Sequence, residues 1–302
     1  YLVNLLRNQY KVAVLSRGYK RHSRGYFLAN EDSQARAIGD EPFQIKNKFP
    51  DIRVAVDENR CHGIEQLLQL KDPEVDVILL DDAFQHRYVK AGINILLTDY
   101  NRLFCEDKLL PAGRLRESRK GKNRAQIVIV TKCPADIKPI DFKIISKQLD
   151  LFPFQKLYFS TFQYGKLTPV FKNLEQTERA LSSIQADEQI LLLTGIASPL
   201  TLVNELHNYT SHVDYLAFDD HHDFSAKDME LLHERFNQIK AEKKIIVTTE
   251  KDAARLLHHP ALKNELKSYL YALPIEVKIL QNQEKKFNQN IIGYVRENKK
   301  NS

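Results

Sequence analysis

Short apolar runs alternate with helical periodicities along most of the chain, and this alternation constrains the fold more than any single motif. Residues 12–15, 54–56, 75–80, 93–97 and 127–130 are mostly apolar, rich in Val and Ile, and too short for helices. Between two of them, residues 61–70 place Ile64, Leu67 and Leu68 on one helical face. Strands separated by helices predict βαβ units and a mainly parallel sheet covered on both faces. After Leu151 the texture changes: Tyr158, Phe159, Phe162 and Tyr164 interleave with polar residues, the pattern of a half-exposed ribbon. A second series then begins at 190–193, 213–218, 245–248 and 269–273. The expected organisation is therefore two α/β domains, 1–154 and 155–302, the second smaller, which suits a chain of 302 residues.

Composition narrows the partners. Lys and Arg outnumber Asp and Glu, 45 to 39, for a net charge of +6 and a pI of about 9.0. Such a balance points to anions: nucleotide, phosphorylated substrate, anionic membrane surface or nucleic acid. The three cysteines (Cys61, Cys105, Cys133) form no CxxC pair, which argues against a zinc site or disulfide framework and for a reducing setting. No apolar run reaches the 18 or so residues of a membrane span, and no signal peptide opens the sequence. Leu2, Leu5 and Leu6 stand at helical spacing directly after Tyr1, so the chain reads as a fragment entered part-way through a helix.

Ligands of open α/β sheets bind beyond the carboxyl ends of strands, and several polar clusters fall there. Ser16-Arg17-Gly18-Tyr19 follows the first strand; Gly18 permits a sharp turn and Arg17 suits an anion, although an ordinary surface turn explains it equally. Gly39-Asp40-Glu41-Pro42 opens a helix, where Asp40 reads first as an N-cap. The run at 75–80 ends in Asp81-Asp82-Ala83-Phe84-Gln85-His86-Arg87, the Walker B pattern of a strand followed by an acid that holds Mg²⁺. Two adjacent acids are costly to place together without a cation. In Leu110-Pro-Ala-Gly-Arg-Leu-Arg-Glu117 the turn fixes the direction of Arg114, Arg116 and Glu117, and arginine suits bidentate phosphate contact. Asp219-Asp-His-His-Asp-Phe224 has no zinc-ligand spacing, and Thr249-Glu-Lys-Asp252 is either a nucleotide contact or a capped helix start.

Taken in order, Ser-Arg-Gly-Tyr, Gly-Asp-Glu-Pro, Asp-Asp-x-Phe-Gln-His-Arg, Leu-Pro-Ala-Gly-x-Leu-Arg-Glu, Thr-Gly-Ile-x-x-Pro, Asp-His-x-x-Phe and Thr-Glu-Lys-Asp resemble the tetraacyldisaccharide 4'-kinase family, from Ser16 to about Leu256. Ala83 stands where the family usually has Gly, and Arg114 where it often has Pro. The resemblance implies a P-loop NTPase-like core and a second α/β domain. It also implies transfer of phosphate from ATP, with Mg²⁺, to the 4'-hydroxyl of a lipid A disaccharide precursor. By the same resemblance Asp40 is the expected catalytic base and His221 its support. Asp81, Asp82 and Glu117 are the expected metal acids, with Tyr19, Gln85 and Arg116 contacting nucleotide or substrate. A Walker A loop and an apolar membrane-seating helix are expected upstream of Tyr1.

The resemblance places the protein peripherally on the cytoplasmic face of the inner membrane, with no obligate protein partner evident and no nucleic acid expected. The basic stretch 114–124 is expected to face the anionic lipid surface, where each Lys or Arg contributes about 1 kcal/mol. Two alternatives stay open: another P-loop kinase or GTPase, and a basic nucleic-acid-binding module. Against the latter, 114–124 holds no aromatic residue for base stacking.

Overall fold

The computed structural model describes the chain except Lys172, Asn173, Glu175, His221 and residues 300–302. In order, the elements are α1 (Leu2–Leu6), β1 (Val12–Ser16), β2 (Phe27–Leu28), α2 (Ala35–Ile38), α3 (Asp40–Lys48), β3 (Arg53–Val56), α4 (Arg60–Leu68), β4 (Val77–Leu80), β5 (Ile95–Asp99) and β6 (Ile127–Thr131). There follow α5 (Pro139–Leu149), β7 (Lys156–Tyr164), β8 (Thr168–Pro169), β9 (Gln189–Thr194), α6 (Pro199–His207), β10 (Val213–Ala217), α7 (Ala226–Gln238), β11 (Lys244–Thr249), α8 (Glu250–Leu256), α9 (Asn264–Lys267), β12 (Leu270–Leu273), β13 (Ile275–Ile279) and α10 (Glu284–Lys299). Each apolar run singled out in the sequence is a strand, displaced by no more than two residues at either end.

The chain forms two compact units that interleave in sequence. The first comprises Tyr1–Ser33, Phe49–Gln163 and Glu276–Ser302; the second comprises Gln34–Lys48 and Tyr164–Ile275. The expected contiguous division at 154/155 differs from this in two ways. Residues α2 and α3 leave the first series to join the second unit, and the C-terminal helix returns to the first. Apolar burial and charge pairing together join α3 to α8: Phe43 is buried against His258, Lys48 at the end of α3 meets Glu250 at the start of α8 at 2.7 Å, and Asp40 at the start of α3 meets Arg255 near the end of α8. Each acid stands at a helix N-terminus and each base at a C-terminus, the arrangement that helix dipoles favour.

Within the first unit the strands fall into two four-stranded sheets, β2-β3-β1-β4 and β13-β7-β6-β5, rather than one. β1 runs parallel to β3 and β4, and β6 parallel to β5 and β7. β1 is buried along its whole length, with Ala13 and Leu15 packed on Leu67 of α4. The second unit has one sheet, β10-β9-β11-β12-β8, parallel except for its edge strand β8. Both of its faces are covered. Ile190 and Leu192 pack towards α6 with Leu202 and Leu206, while Leu191 and Leu193 pack towards α7 and α8 with Leu232, Phe236 and Leu256. This period-2 division of one apolar strand is what a doubly covered parallel sheet requires. Ser225 and Asp228 form a capping box that starts α7, and Thr249 caps α8 through the Asp252 amide.

Candidate active site

In the first unit the parallel register of β3, β1 and β4 brings their carboxyl ends to one edge. Ser16 pairs with Val56, and Leu15 pairs with Leu80. The next residues continue the ladder: the Asp57 amide donates to the Ser16 carbonyl at 3.0 Å and the Asp81 amide to the Leu15 carbonyl at 3.0 Å. Asp57, Ser16 and Asp81 therefore form a row across the end of the sheet. Gly18, two residues on, has φ +70°, the left-handed turn for which glycine suits the loop after β1.

Asp81 is half-buried. Burial raises its carboxyl above the usual range, a hydrogen bond with Ser16 opposes this, the charge of Asp82 adds to it, and Arg60 again opposes it. Asp82 is exposed, with φ +42°, and Arg116 grips both of its oxygens, one through Nη1 at 2.9 Å. That bond raises the Arg116 guanidinium above its ordinary value. Glu117, one residue further, accepts from Arg124 at 2.7 Å and from Gln85 Nε2 at 3.4 Å. Arg124 also donates to the Phe84 carbonyl at 3.0 Å and lies over the Phe84 ring at 4.7 Å. Glu117 packs so tightly on the turn behind it that a Cβ at Gly121 would stand 2.8 Å from its carboxylate.

The structure thus brings Asp81, Asp82, Gln85, Arg116 and Glu117 into one neighbourhood. It does not gather the three expected metal acids into one ligand set: among the described residues no group of three His, Cys, Asp or Glu side chains is arranged to hold a metal. Asp82 and Glu117 point instead at arginines. Tyr19 lies on the loop after β1, two-thirds exposed, with Lys20 over its ring at 5.6 Å.

The basic stretch 114–124 also makes hydrogen bonds within the molecule. Arg119 donates to the Asp107 carbonyl at 3.1 and 2.8 Å, Lys122 to the Leu149 carbonyl at 2.9 Å, and Arg124 is held as described. Three of its cations thus bind groups of the molecule itself, Arg119 while remaining exposed.

Asp40 lies in the second unit. Gly39, at φ +93°, turns the chain so that α3 begins at Asp40 itself, and Asp40 occupies the first turn rather than the cap position before it. Its carboxylate is bound by Arg255, whose Nε approaches Oδ1 at 3.2 Å while Nη2 binds Oδ2. His221 lies outside the described residues.

Sequence reasoning passed over Arg60 and Arg255. Arg60 is 4% exposed at the start of α4. It donates to the Asp57 carbonyl at 2.8 Å, and its Nε has no hydrogen-bond partner. Its backbone amide donates to His86 Nε2 at 3.2 Å, and burial together with the Arg60 charge lowers the His86 imidazole below its ordinary value. An Asp-x-x-Arg run directly after a predicted strand was the readable signal for Arg60. Arg255 had none beyond its spacing from Asp252.

A family model described as tetraacyldisaccharide-1-P 4'-kinase matches residues 1–296. The chain belongs to the tetraacyldisaccharide 4'-kinase family. Kinases of this name from Bacteroides thetaiotaomicron and Bacteroides fragilis are 64% and 65% identical to it over its whole length, which covers 81% and 80% of theirs. The kinase of Flavobacterium johnsoniae is 44% identical over 99% of the chain and 82% of its own length. The crystal structure of LpxK from Aquifex aeolicus in complex with ATP superposes with a TM-score of 0.71 at 26% identity, over 98% of this chain and 82% of that one. Membership of this kinase family selects the kinase reading over the GTPase and nucleic-acid alternatives.

Proposed function

We propose that this protein transfers the γ-phosphoryl group of ATP, with Mg²⁺, to the 4'-hydroxyl of a tetraacylated glucosamine disaccharide 1-phosphate, a step of lipid A biosynthesis. The observation that carries the reading is the Asp81–Asp82 pair at the carboxyl end of β4, tied to the Arg116–Glu117 turn in a chain of this family.

Phosphoryl transfer asks a protein for position and charge more than for covalent chemistry. Mg²⁺ supplies neutralisation of charge on the phosphate oxygens when bound. The residues fit such an ion, since Mg²⁺ is usually held by one or two carboxylates together with substrate phosphates and needs no three-acid cage. Asp81, raised by burial and by its acidic neighbour, is a carboxylate that a cation would relieve. Arg116 and Asp82 pair with each other here. Each is the kind of group that takes one half of an ATP–Mg²⁺ complex, guanidinium to phosphate and carboxylate to metal. Gln85, whose buried Oε1 has no hydrogen-bond partner, is a further polar contact, and Tyr19 offers an exposed ring on the same edge of the sheet. Glu117 acts through the turn it braces, and Asp40 accepts the proton of the attacking hydroxyl, with His221 as its expected support.

A peripheral position on the cytoplasmic face of the inner membrane accords with a lipid substrate. Leu109 and Leu110 are exposed beside Lys108, Arg114 and Lys120, an apolar and basic surface suited to an anionic leaflet. Among the described residues no helix is long and apolar enough to cross a membrane. The test of the reaction is transfer of labelled γ-phosphate from ATP to the disaccharide 1-phosphate in detergent, with Mg²⁺ present and then chelated. Absence of Mg²⁺-dependent label in the lipid product would overturn the reading.

A further inference from the structure

The second unit contains a charge network built from Thr-Gly at the end of β9 and Thr-Glu-Lys-Asp at the start of α8, motifs to which the reaction above gives no task. Asp252 is fully buried. Its Oδ2 accepts from the Thr249 hydroxyl at 2.8 Å, the Gly195 amide at 3.0 Å and the Thr194 hydroxyl at 3.2 Å. A buried carboxylate is tolerated when it is satisfied in this manner. Its other oxygen, Oδ1, stands 3.5 Å from Arg255 Nη1.

Arg255 is itself 10% exposed along its side chain. The same Nη1 donates to the His222 carbonyl at 2.8 Å. That carbonyl is fixed in turn, because the His222 ring stacks on Phe218 at 4.6 Å and hydrogen-bonds Asp228 at 2.9 Å. One edge of the guanidinium is therefore anchored to α8 and to the backbone at His222. A guanidinium is planar and its donors form a rigid fork, so anchoring one edge sets the direction of the other. The other edge, Nε and Nη2, holds both oxygens of Asp40.

We propose that Arg255, braced by Asp252 and the His222 carbonyl, is the positioning residue that holds the Asp40 carboxylate in one orientation towards the acceptor hydroxyl. The inference rests on Asp40 being the base. It gives the Thr-Glu-Lys-Asp motif a role one step removed from the reacting atoms: Thr249 and Asp252 orient Arg255, and Arg255 orients Asp40. A base held by two hydrogen bonds in a plane loses the rotational freedom that a lone carboxylate keeps, and misplacement of about 1 Å costs on the order of 10²-fold in rate. The rival account is that Arg255 only fastens α3 to α8.

The pair Lys48–Glu250 fastens the same two helices at their other ends and provides the control. Arg255→Met, Lys48→Met, Asp40→Asn and the double variant Asp40→Asn/Arg255→Met are compared for melting temperature, kcat, and KM for ATP. We expect Arg255→Met to lower kcat about 10²-fold with KM for ATP unchanged, and Lys48→Met to keep kcat within about twofold at a similar loss of stability. In the Asp40→Asn background, Arg255→Met should cost less than about threefold more, because two residues acting as one unit are not additive. Arg255→Lys keeps the charge without the fork and should recover only part of the rate. Equal rate losses for Arg255→Met with and without Asp40, or equal losses for Arg255→Met and Lys48→Met, would overturn the proposal. A wild-type protein that transfers no phosphate would instead overturn the kinase reading, and near-normal turnover by Asp40→Asn would overturn the base on which the inference rests.

Discussion

Arg124 separates two accounts of the basic stretch, and Arg124→Gln tests them directly. If 114–124 is a lipid-facing surface, Arg124 adds to membrane affinity and nothing else. In the structure its guanidinium bonds Glu117 at 2.7 Å, bonds the Phe84 carbonyl at 3.0 Å and covers the Phe84 ring at 4.7 Å. The two charged side chains are 32% and 25% exposed, so solvent screens the pair in part. A hydrogen bond to a charged partner contributes about 1.5–3 kcal/mol, which partial exposure reduces to about 1–2. The ring contact adds roughly 0.5–1 kcal/mol. Glutamine keeps one donor, which leaves a loss of about 2 kcal/mol, or a fall in Tm of about 4–8 °C for a unit of this size. Thermal denaturation reads this loss, and flotation with anionic vesicles should show no change in binding. A Tm within about 1 °C of the parent, joined to weaker vesicle binding, would refute the reasoning and place Arg124 on the lipid-facing surface with Arg114 and Lys120.

Asp40→Asn should lower kcat about 10²–10⁴-fold, the usual contribution of a positioned general base, with KM for ATP unchanged in steady-state kinetics; a kcat within threefold of the parent would remove it from the chemistry. Asp81→Asn should abolish Mg²⁺-dependent turnover while leaving Tm equal or higher in metal-free buffer, because burial beside Asp82 disfavours its charge; a drop of several degrees would show instead that its charge supports the fold. Asp107 accepts from Arg102 and from the Lys108 and Arg114 amides, and the Arg102 bond, foremost among these, holds its carboxyl below the usual range. Its contribution to stability is therefore present above the ordinary carboxylate pKa and is lost as pH falls through the depressed one, so Asp107→Asn should flatten the acid limb of a Tm-against-pH curve.

The strands are legible because short apolar runs, too short for helices and set between helical periodicities, mark them. β9 reads Gln-Ile-Leu-Leu-Leu-Thr because alternate leucines serve opposite helix layers. Element boundaries moved by only a residue or two for the same reason. The division into units was less legible, since it depends on which partner α3 finds. Nothing local to residues 40–48 says that Asp40 and Lys48 will close onto α8, more than 200 residues away in sequence. The helix is placed by these pairs together with burial of Pro42 and Phe43, the latter against His258, and pattern reading does not see such long-range partners.

The same asymmetry runs through the site. The acids Asp81 and Asp82 were found because a backbone feature, the end of a parallel strand, places them, and strand ends can be read from apolar runs. Their cationic neighbours could not be found that way. Arg116 and Arg60 carry local marks of another kind, a Pro-Ala-Gly turn and an Asp-x-x-Arg run, whereas Arg124 and Arg255 reach their partners through long side chains from backbone positions with no such mark. Arg124 is expected at a lipid surface with the rest of its basic stretch, and nothing in the sequence marks Glu117 and the Phe84 carbonyl as its partners. In the structure Asp82, Glu117 and Asp40 each lie against one arginine, and Asp81 feels the charge of Arg60. That pairing has a physical origin. An acid kept for metal binding or proton transfer, with no opposing charge beside it, costs stability wherever it is partly buried. Fixed guanidinium groups balance the charge while keeping each carboxylate aimed. The acids carry the motif, and the arginines, scattered through the sequence, carry the geometry.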